Sequence, residues 1–308
     1  MDKKVLLIAG GGTLGTYTME ELLKTGYLVD VICLEDKKST DERVRFYKGY
    51  GNKENLEKLF ENNNYDSIVN FIHYSDENDY FKIHPFLINN TDHLVFLSSY
   101  RVYADIEHPI NENSPRLFDV LQDEEFFKEE TYACPKSKCE DFLKTECANQ
   151  PWTIVRPVIS FSDRRLDLFT YSGRKVIEIV KNNEELLLPD FAKDLTAGLD
   201  WAGNSGKLIA KLSVEPKAIG ECYTISTGQN NTWGEVAQMY NDIIGLKVKW
   251  VDEKDYIHNV SDKFLYKYDR KFNRFVDASK VISTLNLKKE DFTSIYDGIK
   301  IELEKAGY

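Results

Sequence analysis

Apolar positions in the first hundred residues fall into short continuous runs separated by amphipathic stretches. Val5–Ile8, Leu28–Leu34, Val44–Tyr47, Ser67–Ile72 and Leu94–Ser98 read as buried strands. Thr16–Lys24, stopped by Gly26, and Lys53–Asn62 read as helices between them. Strand–helix alternation at this spacing implies right-handed crossovers and a parallel sheet covered on both faces. Such sheets bind ligands at the carboxyl ends of their strands.

The second half is less regular. Leu166–Lys181 has a helical pattern, and Gly220–Ser226 alternates like a strand. Thr232–Ile244 reads as a helix with Thr232 as N-cap and Glu235 three residues on, the pattern of a capping box. Lys247–Val251 reads as a strand, residues 252–275 show no period, and Ala278–Leu285 and Phe292–Lys305 read as closing helices.

The chain has 308 residues and a formal net charge of −11. That length suits one large domain or two intimate ones. The acidic balance argues against a nucleic-acid face, which needs clustered Lys and Arg. No apolar stretch approaches the ~18 residues of a membrane helix, and the Met-Asp-Lys-Lys start has no signal-peptide pattern. The five cysteines form no CxxC, so reduced thiols and a cytoplasmic setting are expected. The five histidines are scattered, and no metal site is expected.

One segment adds chemistry. "LLIAGGGTLGTY" (Leu6–Tyr17) takes a strand into a helix through clustered glycines. In the GxxGxxG register the positions are Ala9, Gly12 and Gly15, with Gly10 and Gly11 beside the first. Glycines there allow a tight turn, close approach to a pyrophosphate and close helix–strand packing. The helix N-terminus supplies N–H donors.

Further landmarks follow in order: "VFLSSYRVYA" (Val95–Ala104), "TYACPKSKCEDFL" (Thr131–Leu143), "TIVRPVISF" (Thr153–Phe161), "GECYTISTGQNNTWGEVAQ" (Gly220–Gln238) and "FVDASKVISTLNLKKEDF" (Phe275–Phe292). With the glycine loop, this series resembles the NAD-dependent epimerase/dehydratase family, the extended short-chain dehydrogenases/reductases. The resemblance spans nearly the whole chain. It implies an α/β fold: a Rossmann-type doubly wound parallel sheet in residues 1–160, joined by a returning strand near 220–227. A smaller substrate-binding domain would come mainly from 161–308.

It also implies roles. Ser99 would hydrogen-bond the substrate oxygen. Tyr132, in the YxxxK pair with Lys136, would be the acid/base. A free phenol near pKa 10 is a poor base at neutral pH, and Lys136 would help stabilise the phenolate and reach the nicotinamide ribose. Gly10, Gly12, Thr13, Leu14, Gly15, Glu35 and Lys136 would meet the cofactor, NAD in preference to NADP. The substrate would be a small molecule of the nucleotide-sugar kind, acted on by hydride transfer; a homodimer is compatible with the resemblance.

The chain departs from the family pattern at several points. Ala9 stands for the first glycine, and Cys33 for the acidic or amide residue closing the second strand. Glu35 or Asp36 would serve a ribose 2′-hydroxyl there, Lys37 or Lys38 a 2′-phosphate. Tyr50 stands for the adenine-side Asp, Ile72-His73-Tyr74 for small residues after the fourth strand, and Pro135 for the small residue before the lysine. The RDF-like segment reads Lys193-Asp194-Leu195. These changes mark a divergent member and keep a second reading open, a non-catalytic dinucleotide-binding sensor or partner-binding protein. Tyr256, Phe264 and Tyr266 are candidates for a substrate wall, and Arg164-Arg165 for contacts to a phosphate-bearing substrate.

Overall fold

Among the described residues, eleven strands organise the chain: β1 (Lys4–Ile8), β2 (Leu28–Cys33), β3 (Val44–Lys48), β4 (Ser67–Asn70), β5 (Leu94–Leu97), β6 (Trp152–Pro157), β7 (Ile159–Phe161), β8 (Glu185–Pro189), β9 (Leu199–Trp201), β10 (Glu221–Ile225) and β11 (Lys247–Val251). The computed structural model describes residues 3–61 and 63–308. The helix expected over Lys53–Asn62 spans Lys53–Phe60, and its last expected position lies outside the described residues.

Seven strands form one sheet in the order β10-β6-β5-β4-β1-β2-β3, every pair parallel. The order reverses between β1 and β4, which opens a crevice at their carboxyl ends. β1 is apolar and buried from Val5 to Ile8 because both faces are covered. Val5 and Leu7 pack with Leu208 and Leu212 of the helix Ala202–Ser213. Leu6 and Ile8 pack with Leu56, Leu59 and Leu87 on the other face. The helices Thr13–Lys24 and Ala202–Ser213 lie side by side, and a Cβ at Gly206 would sit 2.5 Å from the Tyr17 Cβ.

β10 lies beside β6, so the strand read at Gly220–Ser226 returns to the first sheet. The remaining strands make two small parallel pairs, β8 with β11 and β7 with β9. A second core forms around them and takes in Tyr100, Val102 and Tyr103 from the segment after β5. That segment thereby bridges the sheet and the second core, and the cleft lies where it crosses.

Three local readings change. The helix read from Leu166 begins at Gly173, capped by Ser172, whose Oγ accepts from the Lys175 N–H. Phe169 has φ 56, and Leu168 and Tyr171 exchange backbone hydrogen bonds, which ends any helix there. The helix Glu77–Ile88 went unread because Pro85 lies inside it, and Ala202–Ser213 because Gly203-Asn204-Ser205-Gly206 are poor helix formers. The capping box at Thr232 is present as read, with Glu235 Oε2 accepting from the Thr232 N–H at 2.9 Å.

Candidate active site

The glycine loop forms because β1 must turn at once into a helix that packs back on it. The helix Thr13–Lys24 starts after Gly12, which is extended and gives no side-chain cap. The first N–H groups of that helix are therefore available to a ligand. A Cβ on Gly12 would meet nothing within 4 Å, whereas one on Gly15 would lie 2.2 Å from the Gly10 carbonyl oxygen. Gly12, Thr13, Leu14 and Gly15 line the cleft; Gly10 lies beneath, as the packing partner of Gly15.

Ala9 keeps a left-handed backbone, φ 56, without glycine's freedom. That conformation costs an L-residue about 1–2 kcal/mol, part of which glycine's larger unfolded-state entropy would offset. Ala9→Gly is therefore expected to raise unfolding free energy by up to about 1 kcal/mol. Urea denaturation checks this, and a loss of stability would contradict it.

Glu35 lies outside the cleft lining, over the loop: a Cβ on Gly11 would meet its Oε2 at 2.5 Å. Its own backbone N–H, Cys33, Lys37 and Arg164 together hold its carboxyl below the usual range. Lys37 Nζ donates to the Gly11 carbonyl at 2.6 Å. Leu34 and Tyr50 are exposed nearby in sequence at the ends of β2 and β3.

The residues expected to handle the proton come from two elements. Ser99 follows β5, and its Oγ accepts from the Arg101 N–H at 3.2 Å, capping the turn Tyr100–Val102. Tyr132 opens the helix Ala133–Thr145, and Glu130 caps that helix: its Oε1 accepts from the N–H groups of Tyr132 (2.5 Å) and Ala133 (2.7 Å). Three basic side chains surround the Tyr132 ring. The His73 ring lies 4.8 Å away, the Arg101 guanidinium 4.8 Å and Lys136 Nζ 5.1 Å. Partial burial, Lys136 and Arg101 lower the His73 pKa.

Ser99 and Tyr132 both line the cleft; Lys136 is buried behind, its Nζ donating to the Leu97 carbonyl at 2.5 Å. Burial lowers the Lys136 pKa to about 8 from 10.5. Between those values the unfolded chain binds the proton and the folded one does not, so stability rises with pH. Wild type should gain on Lys136→Met by up to about 1.4 kcal/mol per pH unit from about pH 8 upward. Paired urea titrations at several pH values check this, and a pH-independent difference would contradict it.

The cleft has a volume of about 480 Å³. Its lining also includes Pro157, Ile159, Ser160, Arg165, Asp269 and Arg270. Residues Tyr266–Arg270 form a π-helical turn, an irregularity often found at functional sites. Asp269 is buried, ion-paired with Arg270 and with Arg274 Nη2 at 3.0 Å, and accepts from Tyr100 Oη at 3.0 Å. Burial works to raise its pKa, and the two arginines override this and hold it low. Tyr256 and Tyr266 belong to the second core and Phe264 packs against a separate apolar cluster, so none of these aromatics lines the cleft. Of the arginine pair, Arg165 lines it, while Arg164 borders a smaller depression with Thr13 and Tyr17. Arg101, Asp269 and Arg270 went unread as site residues. An arginine inside the serine motif was a visible signal; the π-turn gave none.

In sequence, no family model matches the chain, and no curated protein matches it significantly. In structure, the likeness is extensive. The epimerase Mth375 of Methanothermobacter thermautotrophicus superposes with a TM-score of 0.73 at 17% identity, over 98% of this chain and 91% of that one. The chain shares the fold of that protein. UDP-glucuronic acid 4-epimerase from Bacillus cereus, solved with UDP-glucuronic acid and NAD, gives 0.68 at 15% identity over 99% of both chains. WbmG from Bordetella bronchiseptica, solved with NAD, gives 0.69 at 16% identity over 99% of this chain and 94% of that one. Among the described residues, no group of three or more His, Cys, Asp or Glu could hold a metal, and no helix is long and apolar enough to cross a membrane.

Proposed function

We propose that this chain is an NAD(P)-dependent epimerase or dehydratase acting on a nucleotide-sugar, with NAD preferred. One observation carries the reading: Ser99 and Tyr132 line the same cleft as the uncapped helix N-terminus at Gly12–Gly15. The loop fits a dinucleotide, because the Gly12 Cα has open space in front of it and the helix N–H groups face that space. Glu35, ionised over Gly11, suits a ribose 2′-hydroxyl and opposes a 2′-phosphate. A bound nicotinamide would supply the hydride acceptor and donor.

The protein's own part is to hold the substrate and move one proton. Ser99 would donate to the substrate oxygen, and Tyr132 would take up or return its proton. Lys136 fixes the start of that helix against the Leu97 carbonyl. Arg165, which also lines the cleft, suits the diphosphate of an activated sugar. Family resemblance and the epimerase fold support this reading.

The test is a panel of UDP- and dTDP-sugars incubated with NAD-loaded protein, with products resolved by chromatography and NMR. Dinucleotide-dependent conversion of one of them is expected. His73, standing against Tyr132 where relatives have a small residue, favours the non-catalytic alternative. Tight dinucleotide binding with no turnover across the panel would decide for it.

A further inference from the structure

The reactive end of the cleft carries a cation that the proposed chemistry does not use. Arg101 stands in the turn after Ser99, lines the cleft and is 21% exposed. It is fixed in two directions. Its Nη2 lies 3.2 Å from Glu130 Oε2, and its guanidinium carbon lies over the Tyr132 ring, 4.8 Å from the ring centre. Glu130 is itself immobilised, because its other oxygen caps the helix that carries Tyr132. Only one of the guanidinium's N–H edges is engaged by Glu130, so its remaining donors are available to the cleft.

Position decides what those donors can meet. Arg101 stands beside the Tyr132 ring and directly follows Tyr100, whose hydroxyl donates to Asp269 at 3.0 Å, so it sits between Tyr132 and the π-turn. A reacting oxygen must come within about 3 Å of the Tyr132 hydroxyl. A guanidinium packed on that same ring then reaches a group only one or two carbons from the reacting carbon. The diphosphate of a nucleotide-sugar is a whole sugar ring further away, where Arg165 would serve it. Three arginines line the cleft against one carboxylate, Asp269, which Arg270 and Arg274 already share.

We infer that Arg101 is a specificity residue that binds a carboxylate next to the reacting carbon, so that the substrate is an acidic sugar of the uronic-acid type. The inference rests on the nucleotide-sugar reading for the rest of the ligand. A planar fork held flat matches a carboxylate through two parallel N–H donors. A neutral hydroxymethyl group at that place would leave those donors facing an uncharged partner.

Calorimetry with UDP-glucuronic acid and UDP-glucose, in the presence of NAD, tests this. Wild type should bind the uronate at least tenfold more tightly than the neutral sugar. Arg101→Gln should abolish that preference by weakening the uronate alone, and Arg101→Lys should restore part of it. Thermal melts of both variants establish that they are folded; if Arg101→Gln is not, wild type and Arg101→Lys decide. Equal wild-type affinity for the two sugars, or equal weakening of both by Arg101→Gln, overturns the inference. Saturation-transfer NMR with free glucuronate and glucose separates this from failure of the nucleotide reading. Arg101-dependent binding of free glucuronate without binding of either UDP-sugar keeps the carboxylate site and discards the nucleotide. No Arg101-dependent carboxylate binding in either assay removes the site itself.

Discussion

Tyr132→Phe is expected to lower kcat by about 10²–10⁴, the usual worth of a positioned acid–base group. The loss should fall on kcat more than on KM, because the hydroxyl is proposed to act in the proton-transfer step. Only one oxygen is removed. The ring keeps its packing against His73, Arg101 and Lys136, and the helix cap by Glu130 uses backbone N–H groups that the substitution leaves in place. Melting temperature and dinucleotide affinity should therefore stay close to wild type. Steady-state kinetics on the substrate found by the panel check this; full activity in the variant would remove Tyr132 from the mechanism.

Glu140→Gln is expected to cost about 3–5 kcal/mol of stability, the range for breaking a buried ion pair from one side. Glu140 lies on the Tyr132 helix, fully buried, and takes Arg156 of β6 through Nε at 2.8 Å and Nη2 at 2.6 Å. Arg116 Nη1 approaches the same carboxylate at 3.4 Å. Burial pushes the Glu140 pKa up, but Arg156 prevails and holds it at about 2. Its folded pKa is thus below its unfolded one, so this stabilisation is fully present above about pH 4.5 and is lost as pH falls toward 2. Urea denaturation at pH 7 should show the full deficit, and the deficit should shrink in acid. A deficit under about 1 kcal/mol at pH 7 would place the pair among weak surface bridges.

That pair also shows how far the sequence could be read. Arg156-Pro157 was legible as a landmark after a strand, yet its physical reason, a buried partner sixteen residues upstream, is not a periodic signal. The glycine loop and the YxxxK pair were legible because each is local: strand, turn and helix succeed one another within a dozen residues. Glycine roles were only partly so, since Gly12 opens to the cleft while Gly10 serves packing, and spacing alone does not separate the two. The π-turn side of the cleft was not legible. Asp269 meets Tyr100 across 169 positions of chain, and the π-turn that presents it has neither the strand nor the helix period. Leu166–Lys181 misled because its apolar spacing is helical while Phe169 takes a left-handed backbone.

The account rests on the cleft holding a dinucleotide against the Tyr132 wall. Isothermal titration of NAD and NADP into wild type and Gly12→Val tests that most directly. A Cβ at Gly12 has free space, so the variant should fold, but its branched side chain would stand where the backbone must approach a phosphate. The account predicts that wild type binds NAD more tightly than NADP and that Gly12→Val weakens NAD by tenfold or more with an unchanged dinucleotide-free melting temperature. Failure of wild type to bind either dinucleotide, or the same affinity in a folded Gly12→Val variant, would contradict it.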